Sequence, residues 1–333
     1  MRRPTMDDVA ERAGVSRSLV SLVMRGSPRV SPQRRAAVLA AAADLGYSPD
    51  VLASRLASHT STVIAVLVSD LRNPYFGDIV EGIEDAAGEA GLQTIVSSGR
   101  RRAASEERAV AMLLGFRPAA LILLSPVVTS AALARAARQV PVVAVERAVR
   151  CPGVDTIQDD GRTGSALAVD HLVGLGHRRI VHLDGGQGAQ SGVRRRGFLN
   201  AMRRHGLVGL VEPSEYTEEA GAASVARLLA GRRRFSAVVA ANDVNAIGAI
   251  GALDDAGLRV PEDVSVVGYD NTHLSALRRI ALTTVDQPRE EMGRLAVELV
   301  RRRLGGAAGQ AAGSARHTLH PTLVVRRTTA PPG

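Results

Sequence analysis

The 333-residue sequence has no tryptophan, no lysine and a single cysteine, and its aromatics are four tyrosines and four phenylalanines. One cysteine, Cys151, excludes a disulfide framework within the chain and a cysteine-built zinc site. No run of about 18 apolar residues occurs, so no membrane-spanning helix is expected. Residues Met1 to Asp8 carry Arg2 and Arg3 without an apolar stretch behind them, so they are not read as a signal peptide, and the expected compartment is the cytoplasm. Without lysine, all 42 basic residues are arginine, as GC-rich coding would also produce. Against 33 acidic residues the net charge is +9. Nine arginines and five acids fall within residues 1–60, a net of +4, which leaves +5 for the remaining 273 residues. Basic charge is thus densest at the N-terminus, as in a module that binds a polyanion.

What is present is enough for two or three domains, at about 150 residues each. Hydrophobic residues are 45% and charged residues 23%, which excludes global disorder. Residues 5–46 read as helical, with apolar positions at Val9, Ala10 and Ala13, then Leu19, Val20 and Val23. Gly14 suits a tight turn between them and Ser16 an N-cap. Ser31-Pro32 opens a third helix, which Gly46 closes. This is a helix-turn-helix arrangement. Residues 47–61 read as a hinge with weak helix potential. From residue 62, apolar runs at 62–68, 92–96, 119–124 and 140–145 alternate with helices. A second series follows at 179–183, 237–241, 264–268 and 282–285. Such runs are the pattern of two parallel α/β sheets, hence two similar lobes. Residues 305–315 read as a loop before a last strand at Thr322–Val325.

The string Thr5-Met6-Asp7-Asp8-Val9-Ala10-Glu11-Arg12-Ala13-Gly14-Val15-Ser16, with Val20-Ser21 and Val23, resembles the signature of the lac repressor/galactose repressor transcriptional regulators. Leu45-Gly46-Tyr47-Ser48-Pro49, Ala53 to Ala57, Asn73-Pro74-Tyr75-Phe76, Gly176-His177-Arg178-Arg179-Ile180, Asn242-Asp243 and Val260 to Asp270 continue the likeness. So does Pro321 to Arg326, and it spans nearly the whole chain. The resemblance implies an α/β fold with an N-terminal helix-turn-helix headpiece (1–49), a hinge (50–61), and a core like a periplasmic binding protein (62–333). That core would have two lobes with parallel sheets, and would carry the effector and the dimer contacts.

For DNA reading, the exposed candidates on and before the second helix are Ser16, Arg17, Ser18, Ser21, Leu22 and Arg25. The resemblance makes Arg17, Ser18 and Leu22 the principal base readers. An arginine can bond guanine O6 and N7 together, whereas Leu22 offers only apolar contact, as with a thymine methyl. Thr5, Arg29, Ser31 and Arg34 are phosphate candidates. In the implied hinge helix, Leu56 would wedge into the minor groove and Ala53 would let paired helices approach. For the effector, Tyr75 and Phe76 offer aromatic faces at a strand-to-helix turn. By resemblance Tyr216 covers the ligand, and Ser69, Ser125, Glu146, Asp160, Arg194, Asn242 and Asp270 supply polar groups. Asp270 is expected as a pure acceptor at neutral pH, and Asp243 as a helix-cap partner. Glu146 stands where aspartate is usual, and Gly161 where asparagine is. Gly185 to Ser191 nearly spells a dinucleotide fingerprint, but Ser191 fills its last glycine position, so a cleft-lining loop is the better reading. His171 and His177, six apart, lack zinc-ligand spacing and read as packing residues.

The expectation is a dimeric, effector-controlled, sequence-specific DNA-binding regulator, a repressor of operator DNA. Its effector would be a sugar or related metabolite, and no cofactor, metal, membrane contact or catalytic residue is expected. A solute-binding protein shares the core but has no use for residues 5–46. An α/β enzyme would need a nucleophile–base constellation, and Cys151 is isolated.

Overall fold

Short capped helices come first. In the computed structural model, which describes residues 4–24, 27–47, 61–305 and 313–333, α1 (Met6–Ala13) is closed at its start by a capping box. The Thr5 hydroxyl accepts the Asp8 amide at 3.3 Å, and the Asp8 carboxylate accepts the Thr5 amide at 2.7 Å. Gly14, at φ +63°, turns the chain. The Ser16 hydroxyl accepts the Leu19 amide at 3.3 Å and so starts α2 (Arg17–Met24). α3 (Pro32–Asp44) has proline in its first turn, but Ser31, in the cap position, makes no capping bond with its side chain. Val9, Ala10, Val20, Val23, Val30, Val38, Ala41 and Ala42 form one small core. The chain divides into two compact units between Ser61 and Thr62.

The second unit holds two six-stranded sheets. The first sheet, lobe one, contains β1 (Val63–Val68), β2 (Gln93–Ser98), β3 (Ala120–Leu124), β4 (Val142–Val145), β5 (Val154–Asp159) and the late strand β11 (Arg316–Leu319). All are parallel, in the order β11-β5-β4-β3-β1-β2. The second sheet, lobe two, contains β6 (Ile180–Leu183), β7 (Leu210–Glu212), β8 (Ala237–Val239), β9 (Ser265–Asp270), β10 (Thr283–Asp286) and β12 (Thr322–Val324). Its order is β12-β10-β9-β8-β6-β7, with only β12 antiparallel. β1, β3 and β4 are buried at every residue because helices cover both faces, which is why they read as unbroken apolar runs.

Around lobe one lie α4 (Tyr75–Glu89), α5 (Ala103–Gly115), α6 (Ser130–Ala137) and α11 (Arg289–Leu304). Around lobe two lie α7 (Gly161–Gly174), α8 (Ser191–Arg204), α9 (Glu218–Ala230) and α10 (Asp243–Asp255). The chain crosses between lobes after β5, after β10 and after β11. Those crossings return α11 to lobe one, where a Cβ on Gly293 would lie 2.3 Å from the Ile79 carbonyl oxygen. The final segment docks on lobe two. Thr328 donates to the Val266 carbonyl at 2.6 Å, and ring nitrogens of His171 and His177 lie 3.0 and 2.9 Å from Thr329 Oγ1 and the Ala330 carbonyl oxygen.

Every expected apolar run holds a strand, but β5, β7 and β11 were not foreseen. Of the connection expected at 305–315, residues 306–312 lie outside the described residues. So do most of the hinge and, of the named DNA candidates, Arg25, Ala53 and Leu56.

Candidate functional site

Carboxyl ends of parallel strands converge on a cavity, open to solvent, between the two lobes. Ser69 follows β1, Ser125 follows β3, Glu146 follows β4, and Asp270 ends β9. Ser125, Glu146 and Asp270 hold φ of 50°, 62° and 112°. Strained backbone of this kind persists where surroundings fix it. Glu106, fully buried on α5, accepts the Ser69 hydroxyl at 2.8 Å and the Val127 amide at 2.6 Å, and so ties two of these strand ends together. On the opposite wall, Asp184 accepts the Ser191 hydroxyl, the Gly185 amide at 2.8 Å and Arg195 at 3.0 Å. That carboxylate fixes the loop that leads into α8 and therefore the origin of Arg194.

Arg194 is the centre. It is 5% exposed, donates to the Ala241 carbonyl at 3.0 Å and stacks 3.7 Å from the Tyr269 ring centroid. Its terminal nitrogens lie 3.8 Å from Glu146 and 3.7 Å from Asp270. Among the described residues, its Nε and the Oδ1 of Asp159 have no hydrogen-bond partner. The Tyr269 hydroxyl donates to the other Asp159 oxygen, from lobe two to the end of β5. Gln287, on a crossing segment, donates to Asp270 at 2.6 Å and accepts from the Tyr75 hydroxyl at 3.1 Å. Burial pushes Asp270 up to about 8 and holds Glu146 and Asp159 above the usual carboxylate range. Asp270 is therefore largely protonated at neutral pH and can donate, contrary to its expected role as a pure acceptor. Tyr216 closes the mouth. Its ring sits so close to Gly185 and Gly188 that a Cβ on either would lie 2.4 or 2.0 Å from a ring carbon.

In the first unit, Ser16, Arg17 and Ser18 are exposed, and Ser21 and Leu22 are half-buried on α2, while Val20 and Val23 face the core. Arg17 Nε lies 3.6 Å from Asp7, with both side chains about two-thirds exposed at 69% and 66%. Such a pair contributes little and leaves Arg17 available. Arg29, Ser31 and Arg34 are exposed. Thr5 is exposed but occupied by its cap.

Sequence profiles for bacterial regulatory proteins of the lacI family match residues 5–50, and for a periplasmic binding protein-like domain residues 169–329. The HTH-type transcriptional regulator GalR of Escherichia coli (strain K12) is 33% identical over 98% of this chain and 96% of its own. This chain belongs to the lacI family. The HTH-type transcriptional repressor PurR of Erwinia tasmaniensis is 32% identical over 98% of this chain and 97% of its own. Among solved structures, the lac repressor dimer bound to operator and the anti-inducer ONPF matches with TM-score 0.85 at 32% identity, covering 99% of this chain and 100% of that one. The regulator CelR in complex with cellobiose matches with TM-score 0.73 at 33% identity, over 98% and 100%. As a lacI-family member the chain is a DNA-binding transcriptional regulator with an effector-binding core.

Of the effector candidates, Ser69, Tyr75, Phe76, Ser125, Glu146, Arg194, Tyr216 and Asp270 line the cavity. Asp160 and Asn242 do not, because both are helix N-caps. Asp160 accepts the Thr163 amide at 3.1 Å, and Asn242 accepts the Asn245 amide at 2.9 Å. At the end of β5 the neighbour Asp159 takes the inward place expected for Asp160. Asp243 is not a cap partner: fully buried, it accepts the Thr272 amide at 2.7 Å and the Thr284 hydroxyl at 2.5 Å, tying a loop to β10. Gly188, Ala189 and Gln190 put the glycine-rich loop on the cavity wall. Sequence reasoning missed Asp70, Asn73 and Arg101 on the wall, and Glu106, Asp159 and Gln287 behind it. Asn73 opens the quoted Asn73-Pro74-Tyr75-Phe76 turn and Asp70 lies three residues before it, so both could have been found there. Among the described residues, no group of three or more His, Cys, Asp or Glu could hold a metal, and no helix is long and apolar enough to cross a membrane.

Proposed function

We propose that this lacI-family chain is a dimeric cytoplasmic repressor whose operator affinity is set by a sugar or related polyhydroxylated metabolite bound in the cleft. The observation that carries this is Arg194, a buried cation on lobe two that faces Glu146 from lobe one and Asp270 from lobe two inside a solvent-open cavity. A ligand inserted among these groups touches both lobes at once, so its binding energy depends on how the lobes are set. That differential affinity is what allows a ligand to shift a conformational equilibrium. Hydroxyl groups suit a site that mixes guanidinium donors, carboxyl groups able to donate or accept, and the aromatic faces of Tyr75, Phe76 and Tyr216. CelR, a neighbour in fold, was solved with cellobiose.

DNA reading falls to α2. Arg17 at its first position bonds a guanine edge, Ser18 and Ser21 reach polar groups, and Leu22 contacts a thymine methyl. Ser16, Arg29 and Ser31 serve as phosphate contacts. Thr5 acts through the cap instead, since its hydroxyl and its amide both bond Asp8 and set the start of α1. Two headpieces from a homodimer then read a palindromic operator, as the lac repressor dimer was solved on its own operator. The chain performs no catalysis in this account. The test is selection of a preferred site from random duplex DNA, followed by gel shift across a salt series. A palindromic site bound with a steep salt slope, about 0.9 log units of affinity per phosphate neutralised for each log unit of salt, is expected. Failure to select any duplex sequence returns the solute-binding reading.

A further inference from the structure

Among the described residues, the cleft is lined by two guanidinium groups, and one of them is matched. Arg194 has Glu146 and Asp270 beside it. Arg101, on the segment between β2 and α5, also lines the cavity, and among the described residues no carboxylate lies within ion-pair distance of it. Asp70, on the same wall, is engaged by Arg72, whose Nε lies 3.5 Å away and whose amide donates at 3.0 Å. The backbone of Arg101 is nonetheless fixed. Its amide donates to the Ser69 carbonyl at 2.8 Å, and it and Arg100 hold φ of 54° and 55°, a costly pair of left-handed conformations for residues other than glycine. Its guanidinium carbon lies 5.7 Å from the centroid of the Tyr216 ring, the mouth residue of the opposite lobe.

From this placement we propose that the cleft ligand is an anion, with a carboxylate or phosphate held by Arg101 at the mouth and its hydroxyl-bearing part against Arg194, Glu146 and Asp270. The proposal rests on the reading of the cleft as the effector site. Geometry leads to it. Glu146 and Asp270 face Arg194, and among the described residues neither they nor Asp159 lies within ion-pair distance of Arg101. One positive charge at the mouth stays unanswered until a ligand brings its partner. A planar guanidinium propped on an aromatic face is suited to two parallel bonds with a carboxylate or phosphate. The simpler alternative, that Arg101 only packs on Tyr216 to shut the mouth, predicts indifference to ligand charge.

The test compares, on the full-length protein, thermal shift and calorimetric titration with glucose, galactose and ribose, their sugar acids, their phosphate esters, and inorganic phosphate alone. Anionic members are expected to bind and their neutral parents to bind about tenfold or more weakly. Binding confined to acids or to phosphate esters tells which anion is read. Arg101→Gln is expected to lose that preference, and Arg101→Lys, which keeps charge without the fork, to recover part of it. Preference for neutral sugars, anion binding that Arg101→Gln and Arg101→Lys leave unchanged, or no binding of any anionic member at millimolar concentration overturns the proposal. If a neutral sugar binds and releases operator DNA, only the anion inference fails. If no duplex DNA is bound at all, the regulator reading fails with it.

Discussion

Replacing Asp270 by asparagine removes one buried ionisable group while keeping its shape. Asp270 is 3% exposed, and its Oδ1 accepts Gln287 at 2.6 Å, a bond the amide oxygen of asparagine can also accept. Its φ of 112° is one that asparagine tolerates better than most residues. Burial, opposed by Arg194, raises the carboxyl to about 8 in the folded chain, against about 3.9 in an unfolded one. The folded state therefore binds the extra proton. The stabilisation is complete below about pH 4 and is lost as pH rises through about 8, roughly 6 kcal/mol in all at about 1.4 kcal/mol per pH unit of separation. About 4 kcal/mol of that falls between pH 5 and pH 9. At about 2 °C per kcal/mol for a unit of this size, the Tm of Asp270→Asn minus that of wild type should grow by about 8 °C across the interval. Differential scanning calorimetry of both proteins at pH 5, 7 and 9 measures it. A difference that stays constant with pH would show that Asp270 is ionised across the whole range, and the charge assignment of the cleft would fall.

Gly188→Ala should push the Tyr216 ring from its seat, since the added Cβ would lie 2.0 Å from a ring carbon; cleft-ligand affinity measured by calorimetry should drop about tenfold or more, and an unchanged value would exclude Tyr216 from the site. Gly164→Ala should place a Cβ 2.1 Å from the Tyr269 hydroxyl, which bonds Asp159 in a fully buried setting. Overpacking of this kind costs about 1–3 kcal/mol, so Tm should fall by several degrees, and an unaltered Tm would contradict the packing described. Arg17→Ala should cost about 1–3 kcal/mol on the selected operator and relax preference at one base pair per half-site, whereas equal loss on random DNA would make Arg17 a phosphate clamp.

Which strands were legible follows from burial. β1, β3 and β4 are covered on both faces, so their residues are uniformly apolar and stand out. β5 hides because it carries Asp155, a buried acid paired with Arg303 at 2.7 Å and with the Ala315 amide at 2.7 Å. β7 and β11 are edge strands, half-buried or exposed; β7 is only three residues long, and β11 is mostly polar. In the cleft, residues at the ends of legible strands, such as Ser69, Ser125, Glu146 and Asp270, could be named from the chain. Asp159 could not, because the choice between adjacent acids depends on which one the helix start claims as its cap, and α7 takes Asp160. Glu106, Gln287 and Arg101 come from a helix, a crossing and a loop, and only the folded arrangement brings them to the same wall. The helices of the headpiece were legible because local rules govern them: the Gly14 turn, the Ser16 cap and Pro32 each act within a few residues of their own position. The Thr5 capping box was not read from the chain, and the cap bond expected of Ser31 is not made.

The central claim is that a ligand in the cleft changes how the chain holds DNA. The direct measurement is the Kd of the full-length protein for its selected operator, alone and with a saturating cleft ligand identified by thermal shift, with the ligand's own Kd measured with and without that operator. A change of about 5–150-fold in operator affinity, matched by the same factor in ligand affinity when DNA is present, is the predicted result. An operator Kd that is the same with and without a ligand bound in the cleft would contradict it.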